Sequence, residues 1–155
     1  MLLESKMKLE DEIFQKKFKN EYHKAVVNLI FTYNWMRDFQ VNTLKPFDIT
    51  MQQFNILRIL RGQHPNPANI KLIRERMLDK MSDCSRIVEK LRIKGLIERT
   101  TCETDRRHVD VVITDKGLEV LSKLDKYNDQ VENHLSSLST KEVTELNRLL
   151  DKLRG

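Results

Sequence analysis

The stretch that most constrains how this chain can fold is Ser82 to Lys94, SDCSRIVEKLRIK. Four apolar residues in it recur at the helical positions i, i+3, i+4 and i+7, namely Cys84, Ile87, Val88 and Leu91. A helix with one apolar stripe has to bury that stripe against another element. The pattern therefore predicts an amphipathic helix that begins near Ser82 and ends at Gly95.

The opposite face of this predicted helix carries short hydroxyl and basic side chains. A helix with such residues near its N-terminus can bring its backbone close to DNA, so that an arginine can reach the base edges in the major groove. We expect Arg86 to make base contacts and Ser82 to cap the helix. The residues predicted to contact DNA from this helix are Ser82, Ser85, Arg86 and Lys90.

Two predicted strands follow Gly95. Leu96 to Thr101 is one, and the alternation of apolar and polar residues from Val109 to Ile113 indicates the second. The tip between them, Cys102 to Arg107, is polar and basic. A two-stranded ribbon directly after a recognition helix is the wing of a winged helix-turn-helix, and a basic tip suits a narrow minor groove.

The residues of this hairpin resemble a known motif. Asp105-x-Arg107, followed after three residues by V-x-I-T-x-x-G at 111–117, is similar to the wing signature of the MarR family of bacterial transcription regulators. The preceding KGLIER at 94–99 and the S-x-x-S-R-x-V-x-x-L pattern at 82–91 match the same family. The resemblance implies a homodimer that binds double-stranded DNA. It also implies that Asp105 orients Arg107 for the minor groove, with Arg106 beside it available to a phosphate.

The segments before and after this region predict further helices. Asn66 as N-cap and Pro67 at the first helical position should open the first helix of the helix-turn-helix, with its turn at 78–81. Apolar residues at helical spacing predict one long helix from Ile13 to about Phe39. A second should run from Thr114 to about Ser136, and a capping box at Ser139-x-x-Glu142 starts a last one.

The long terminal helices carry more apolar surface than one small domain can cover. The first could lie over the core of its own chain, but a length near 40 Å, at about 1.5 Å per residue, favours pairing with a second subunit. We therefore predict a mainly α fold with a minor β part, a winged helix-turn-helix with long N- and C-terminal dimerisation helices. Residues 1–155 form a single domain, with dimerisation helices at about 10–40 and 116–154 and the DNA-binding region at 48–117.

Composition limits the alternatives. The net charge of +5 fits a duplex binder that uses placed charges more than a bulk basic field. The apolar runs are too short for a membrane span and the N-terminus MLLESKMKLEDE is charged, so we expect a cytoplasmic protein without a membrane partner. The two cysteines, Cys84 and Cys102, lack metal-ligand spacing, and the four histidines are scattered. No cofactor or metal site is predicted.

The effector and the redox state are separate questions. Tyr22, Tyr33 and Trp35 could line a cleft for a small-molecule effector, as the family often has, although aromatic residues at helical spacing are more often core. Cys84 lies on the buried stripe, whereas Cys102 falls in the wing. A redox-responsive regulator that uses Cys102 is therefore an alternative interpretation.

Two rival classes of function are open to the sequence. A winged helix can serve as a protein-interaction module without binding DNA, because a fold does not fix a function. An enzyme is not expected, because the chain has no glycine-rich phosphate loop and no nucleophile elbow, and contains only 4 glycines in 155 residues. The favoured function is a sequence-specific DNA-binding regulator, acting as a homodimeric repressor on a pseudo-palindromic operator.

Overall fold

The structure is a computed structural model that describes residues 8–101 and 109–155. Its contacts divide the chain between Met51 and Gln52 into two compact units. The second unit holds the only sheet in the described residues, together with the recognition-helix segment. No helix in the described ranges is both long enough and apolar enough to span a bilayer.

The N-terminal unit contains the short helix α1 (Leu9–Glu12), the long helix α2 (Glu21–Leu44) and a 3₁₀ turn (Lys45–Phe47). The predicted helix from Ile13 to Phe39 is wrong at both ends. The side chain of Asn20 accepts a hydrogen bond from the backbone N–H of His23 and caps α2, so that the helix begins at Glu21. An ion pair between Glu10 and Lys24 ties the preceding segment to α2.

Helices α3 (Met51–Gln63), α4 (Ile70–Arg76) and α5 (Cys84–Ile93) follow, with the strand β1 (Ala68–Asn69) between the first two. The prediction that Asn66 and Pro67 open the first helix of the helix-turn-helix, which is α4, is wrong. Ala68 and Asn69 instead pair with the later strand, and Asn69 caps α4 by accepting a hydrogen bond from the N–H of Leu72 at 2.8 Å. The backbone of residues 68–69 is thus committed to the sheet, which delays the start of the helix.

The sheet is antiparallel and three-stranded in the order β1-β3-β2, with β2 at Ile97–Thr101 and β3 at Val109–Ile113. The predicted two-stranded ribbon is therefore incomplete, because β1 adds a third strand. Ile97 pairs with Ile113 and Thr101 with Val109. The predicted alternation in β3 is confirmed, since Val109, Val111 and Ile113 are buried while the residues between them are partly exposed.

The apolar stripe predicted for α5 is buried in the core of the second unit. Cys84, Val88 and Leu91 are each almost fully inaccessible to solvent, whereas Ile87, the fourth residue of the predicted stripe, is only partly buried. Other large, fully buried side chains of this unit come from α3, α4, β2, β3 and α6, and from Met77 directly after α4. They include Ile56, Leu57, Leu60, Ile73, Ile97, Val111 and Leu121. The recognition-helix segment is therefore held by its apolar side, and its polar side faces outward.

The remaining helices are α6 (Asp115–Leu124), α7 (Lys126–His134) and α8 (Thr140–Arg154). The single helix predicted from Thr114 to Ser136 is divided into α6 and α7 near Asp125, whose carboxylate forms an ion pair with Arg61 of α3 at 2.8 Å. Thr114 does cap α6, as predicted. The capping box of Ser139 and Glu142 is also present, and it holds the pKa of the Glu142 carboxyl below its ordinary value through the Ser139 hydroxyl.

Both long terminal helices carry apolar stripes that the chain itself leaves exposed. On α2 the stripe repeats at helical spacing, and its members are Tyr22, Val26, Leu29, Ile30 and Tyr33. On α8 it comprises Leu146, Leu149 and Leu153. We call these the α2 stripe and the α8 stripe. Soluble monomers rarely leave such continuous apolar surface open to water.

Candidate nucleic-acid interface

The N-terminus of α5 is set by Asp83 and not, as predicted, by Ser82. The carboxylate of Asp83 accepts a hydrogen bond from the backbone N–H of Arg86 at 3.1 Å. A carboxylate is as good an N-cap as a hydroxyl and also interacts favourably with the helix dipole. Ser82 therefore lies one residue before the cap, and its hydroxyl has another partner.

That partner is Asp79, which organises the turn between α4 and α5. Its carboxylate accepts the Ser82 hydroxyl at 2.7 Å and the Met81 N–H at 3.0 Å. These two hydrogen bonds, with that of the Ser82 hydroxyl the larger, lower the pKa of the Asp79 carboxyl. On the other side of the turn, the N–H of Leu78 donates to the amide oxygen of Asn55 on α3 at 2.9 Å. The turn of the helix-turn-helix is thus fixed by side chains and needs no glycine.

The outward face of α5 carries the predicted DNA contacts. Ser85, Arg86 and Lys90 are exposed, and Ser82 is half-buried. Within residues 8–101 and 109–155, neither Arg86 nor Lys90 forms an ion pair. The acidic neighbour Glu89 is instead engaged by Arg92, whose guanidinium lowers the pKa of the Glu89 carboxyl. Arg86 and Lys90 therefore present positive charge on an open helix face.

The predicted wing contacts Asp105, Arg106 and Arg107, and also Cys102, lie outside the described residues. What the structure describes is the base of the hairpin, where β2 and β3 are paired along five residues each. The first of these strands, β2, follows α5 directly through Gly95, which adopts a left-handed φ of 70°. Glycine tolerates this conformation at the end of a helix, so Gly95 turns the chain from α5 into β2.

The C-terminal end of α5 is anchored to the start of α6. The hydroxyl of Thr114 donates to the carbonyl of Gly95 at 2.8 Å and accepts from the N–H of Gly117 at 3.2 Å. The ammonium of Lys116 donates to the carbonyl of Lys94 at 2.9 Å. These bonds satisfy carbonyl groups at the end of the helix that lack a helical partner. They hold the C-terminal end of α5, and the turn around Asp79 holds its N-terminal end.

Cys84 is buried at the start of α5, and burial raises the pKa of its thiol. A neutral, enclosed thiol is a poor nucleophile and packs as a small apolar group. The described residues contain no cluster of histidine, cysteine and carboxylate side chains suited to a metal ion.

We expect Cys84 to resist alkylation while the protein is folded. Because a raised pKa keeps the thiol protonated above its ordinary range, iodoacetamide at a pH of about 8 should leave Cys84 unmodified for hours and modify it within minutes in urea. Peptide mass spectrometry measures both, with Cys102→Ser to simplify the map. Rapid labelling of Cys84 in the native protein would contradict a buried, inert thiol.

The three aromatic residues predicted to line an effector cleft are not on one face of α2. Tyr22 and Tyr33 belong to the α2 stripe and are 86% and 65% exposed. Trp35 follows Tyr33 by two residues, which is a rotation of about 200° around a helix. Trp35 therefore lies on the other side of α2, and the cleft stays a prediction.

Sequence reasoning missed several residues that shape this surface. Asp83 could have been found, because an aspartate directly before an apolar stripe is a standard N-cap signal. The Glu89 and Arg92 pair could also have been found from its i, i+3 spacing. The contact between Glu89 and Arg99 of β2 could not, because it joins two elements whose distance only the folded structure determines.

Comparison with known proteins agrees with this architecture. The family model for the MarR family matches residues 49–109. The transcriptional regulator MgrA of Staphylococcus aureus is 33% identical over 141 residues, which covers 86% of this chain and 92% of MgrA. A MarR transcription factor from Planctomyces limnophilus has 32% identity and a TM-score of 0.68, over 87% of this chain and 98% of that one.

A further structural neighbour is a mutant MarR from E. coli complexed with operator DNA. It has 24% identity and a TM-score of 0.68, over 95% of this chain and 99% of that one. At this level of identity the likeness concerns the fold. The winged-helix architecture, the matched family model and the similarity to MgrA along most of the chain lead to one conclusion: the protein belongs to the MarR family of DNA-binding transcriptional regulators, which are not enzymes.

Proposed function

We propose that this chain is a homodimeric repressor that binds a pseudo-palindromic operator through two copies of α5. The observation that carries the proposal is the outward face of α5, where Ser85, Arg86 and Lys90 are exposed on a helix whose apolar side and both ends are fixed. A rigid helix with free cationic side chains is what major-groove recognition requires. The mutant MarR from E. coli is complexed with operator DNA, which supports the same role here.

The α2 stripe and the α8 stripe support the dimer. Each is an apolar helix face that the chain leaves exposed, and a twofold-related copy could cover both. In such a dimer the two α5 helices would enter successive major grooves about 34 Å apart. The operator would then consist of two inverted half-sites. A cytoplasmic location follows as part of the proposal, because the chromosome is the target.

The DNA-binding region proposed from the sequence, 48–117, contains α3 to β3 and the start of α6. Its predicted contacts fall into two groups. Arg86, with Ser82, Ser85 and Lys90 around it, would read or clamp the major groove. Arg107, oriented by Asp105 and flanked by Arg106, would enter the minor groove. A small-molecule effector would act by favouring a dimer whose α5 helices are wrongly spaced for DNA.

The experiment that tests the proposal selects duplexes from a random library with the purified protein. We expect enrichment of an inverted repeat, and an affinity that falls steeply with salt because lysine and arginine contacts release counterions. An assembly of two chains per duplex should be seen by light scattering. Failure to enrich any duplex at low salt would overturn the proposal and favour a protein-interaction role for the winged helix.

Substitution of Arg86 and of Arg107 should distinguish contacts that recognise the DNA sequence from general electrostatic attraction. We expect Arg86→Ala to weaken binding to the selected duplex about 10- to 100-fold and to relax the preference at one position of each half-site. Arg107→Ala should weaken binding at least about tenfold while the fold and the dimer persist. Fluorescence anisotropy titrations measure both variants.

The control for these variants is Lys141→Ala, which removes the same charge from an exposed position on α8 outside the proposed DNA-binding region. It should change the affinity by about twofold or less, because only long-range electrostatics are altered. If Arg86→Ala behaves like this control, α5 does not read the operator.

A further inference from the structure

The carboxylate of Glu89 lies between the recognition helix and the hairpin. It accepts three hydrogen bonds from the guanidinium of Arg92, at 2.7, 3.0 and 3.2 Å. Its second oxygen lies 3.8 Å from Nη1 of Arg99 on β2. The Glu89 and Arg99 side chains are both 39% exposed, so the cluster is at the surface but is not fully solvated. Glu89 thus contacts one arginine on its own helix and another on the strand that leads to the predicted wing.

The position of Arg99 connects this surface ion pair to the hairpin. Side chains alternate along a strand, so Arg99 lies on the same sheet face as Ile97, which is fully buried. Arg99 is also paired through its backbone with Val111, the central residue of β3. The contact with Glu89 therefore joins α5 to the hairpin at a residue that lies in register with the centre of β3.

The same cluster affects which cations are available to DNA. Arg92 is held in a bidentate arrangement by Glu89, a geometry that fixes the planar guanidinium. Arg86 and Lys90, one helical turn apart on the same helix, have no such partner among the described residues. Glu89 therefore engages Arg92 in an ion pair, whereas Arg86 and Lys90 stay available to DNA.

We propose that Glu89 is a positioning residue, which fixes the angle between α5 and the hairpin through Arg99 and keeps Arg92 and Arg99 from binding DNA phosphates indiscriminately. This proposal rests on the proposed function and extends it, because it names a residue that makes DNA binding specific. Specific binding needs α5 and the wing to fit two grooves at once, whereas non-specific binding needs only positive charge. Removal of the Glu89 charge should therefore lower the affinity for the operator and raise the affinity for unrelated DNA.

The test uses Glu89→Gln, which keeps the shape of the side chain and removes its charge. We expect affinity for the selected operator to fall and affinity for an unrelated duplex to rise, so that their ratio drops about tenfold or more. The salt dependence should steepen by about one phosphate contact. The melting temperature should change by less than about 4 °C, because exposed ion pairs contribute little to stability.

The matched control is Glu119→Gln on α6, which also removes a carboxylate from an exposed ion pair, there with Lys123. It makes the same change in net charge, so any effect of bulk charge appears in both variants. We expect the ratio of specific to non-specific affinity to be preserved. An equal loss of the ratio in the two variants, or an unchanged ratio in Glu89→Gln, would overturn the assignment of Glu89.

Two arginine variants identify the partner through which Glu89 acts. Arg99→Gln should lower affinity for the selected operator as Glu89→Gln does, but it should not raise affinity for an unrelated duplex, because it removes a cation together with the link to Glu89. Adding Glu89→Gln to it should cause little further loss of operator affinity, because the two residues act as a unit in placing the hairpin. Arg92→Gln should leave the ratio within about twofold of the wild type. If Arg92→Gln instead lowers the ratio as much as Arg99→Gln does, the hairpin link is refuted.

A measurement without DNA separates this inference from the proposed function. Hydrogen exchange of the β2 amides should be faster in Glu89→Gln and in Arg99→Gln than in the wild type and in Glu119→Gln, since the hairpin loses its tether to α5. Unchanged exchange would overturn the link whether or not the protein binds DNA. If exchange changes as expected but the wild type enriches no duplex, the tether stands and the regulatory function fails.

Discussion

A protein carrying Ile30→Glu and Leu149→Glu should be monomeric and should bind its operator about 10²- to 10³-fold more weakly than the wild type. Ile30 is 57% exposed and Leu149 is 48% exposed in the single chain, so glutamates at these positions can remain solvated when the chain is alone. In a dimer that covers the α2 stripe and the α8 stripe, the same carboxylates would be buried without partners, at a large desolvation cost.

The loss of DNA affinity follows from the loss of the second recognition helix. When two α5 helices are joined in one dimer, binding of the first places the second at a high effective concentration beside its half-site. A monomer has only one half-site contact and gains nothing from the second. Light scattering and anisotropy titrations with the selected duplex measure the two effects on the same samples.

The control for this variant is Asn28→Glu, which adds one negative charge, against two in the double variant, to the opposite side of α2. Asn28 lies two residues from Ile30, about 200° around the helix. It should leave a dimer with nearly normal operator affinity. The melting temperature of the wild type and of this control should rise with concentration, whereas that of the double variant should not. A double variant that remains dimeric would show that the two stripes are not the subunit interface.

Gly117→Ala should be the most destabilising of the four possible glycine-to-alanine substitutions in this chain. A Cβ at this position would lie 2.3 Å from the carbonyl oxygen of Leu96 and 2.7 Å from Cγ1 of Ile113. The carbonyl cannot easily move away, because it accepts a hydrogen bond from the N–H of Thr114 at 3.1 Å. We expect a loss of about 3 kcal/mol in the free energy of unfolding, which lowers the melting temperature by about 10 °C.

The effect should reach the DNA-binding surface as well. Gly117 lies in the first turn of α6, beside the bonds through which Thr114 and Lys116 hold the end of α5. Urea denaturation followed by circular dichroism gives the stability, and operator titration gives the affinity. The contrast is Gly62→Ala in α3, where a Cβ would meet nothing within 4 Å. That change should stabilise the protein by about 0.5 kcal/mol, since alanine is the better helix former. Equal effects at the two glycines would contradict the close packing at Gly117.

The close packing around Gly117 explains why a glycine ends the V-x-I-T-x-x-G motif at 111–117. In V-x-I-T-x-x-G at 111–117, the threonine caps α6 and also bonds Gly95, and the glycine lets α6 approach the chain entering β2. The apolar Val111 and Ile113 fill the space beneath. The motif therefore describes how the hairpin, the end of α5 and the start of α6 join, while the charged wing tip belongs to the proposed contact with DNA.

The sequence by itself determined the elements that depend on local patterns. The buried stripe of α5, the alternation in β3, the Thr114 cap and the Ser139 capping box were all predictable, because helix and strand periods and caps are properties of neighbouring residues. The exposed basic residues of α5 followed from the same periodicity. So did the apolar stripes of the terminal helices.

Only the tertiary structure decided where elements begin when a distant segment competes for the same backbone. Ala68 and Asn69 entered the sheet because Val111 and Asp110 were available to pair with them, and the start of α4 moved from Pro67 to Ile70. The same holds for Glu89, which meets Arg99 only after α5 has packed beside β2. Local sequence encodes periods and caps, whereas pairings between distant segments depend on which of them the fold brings within reach.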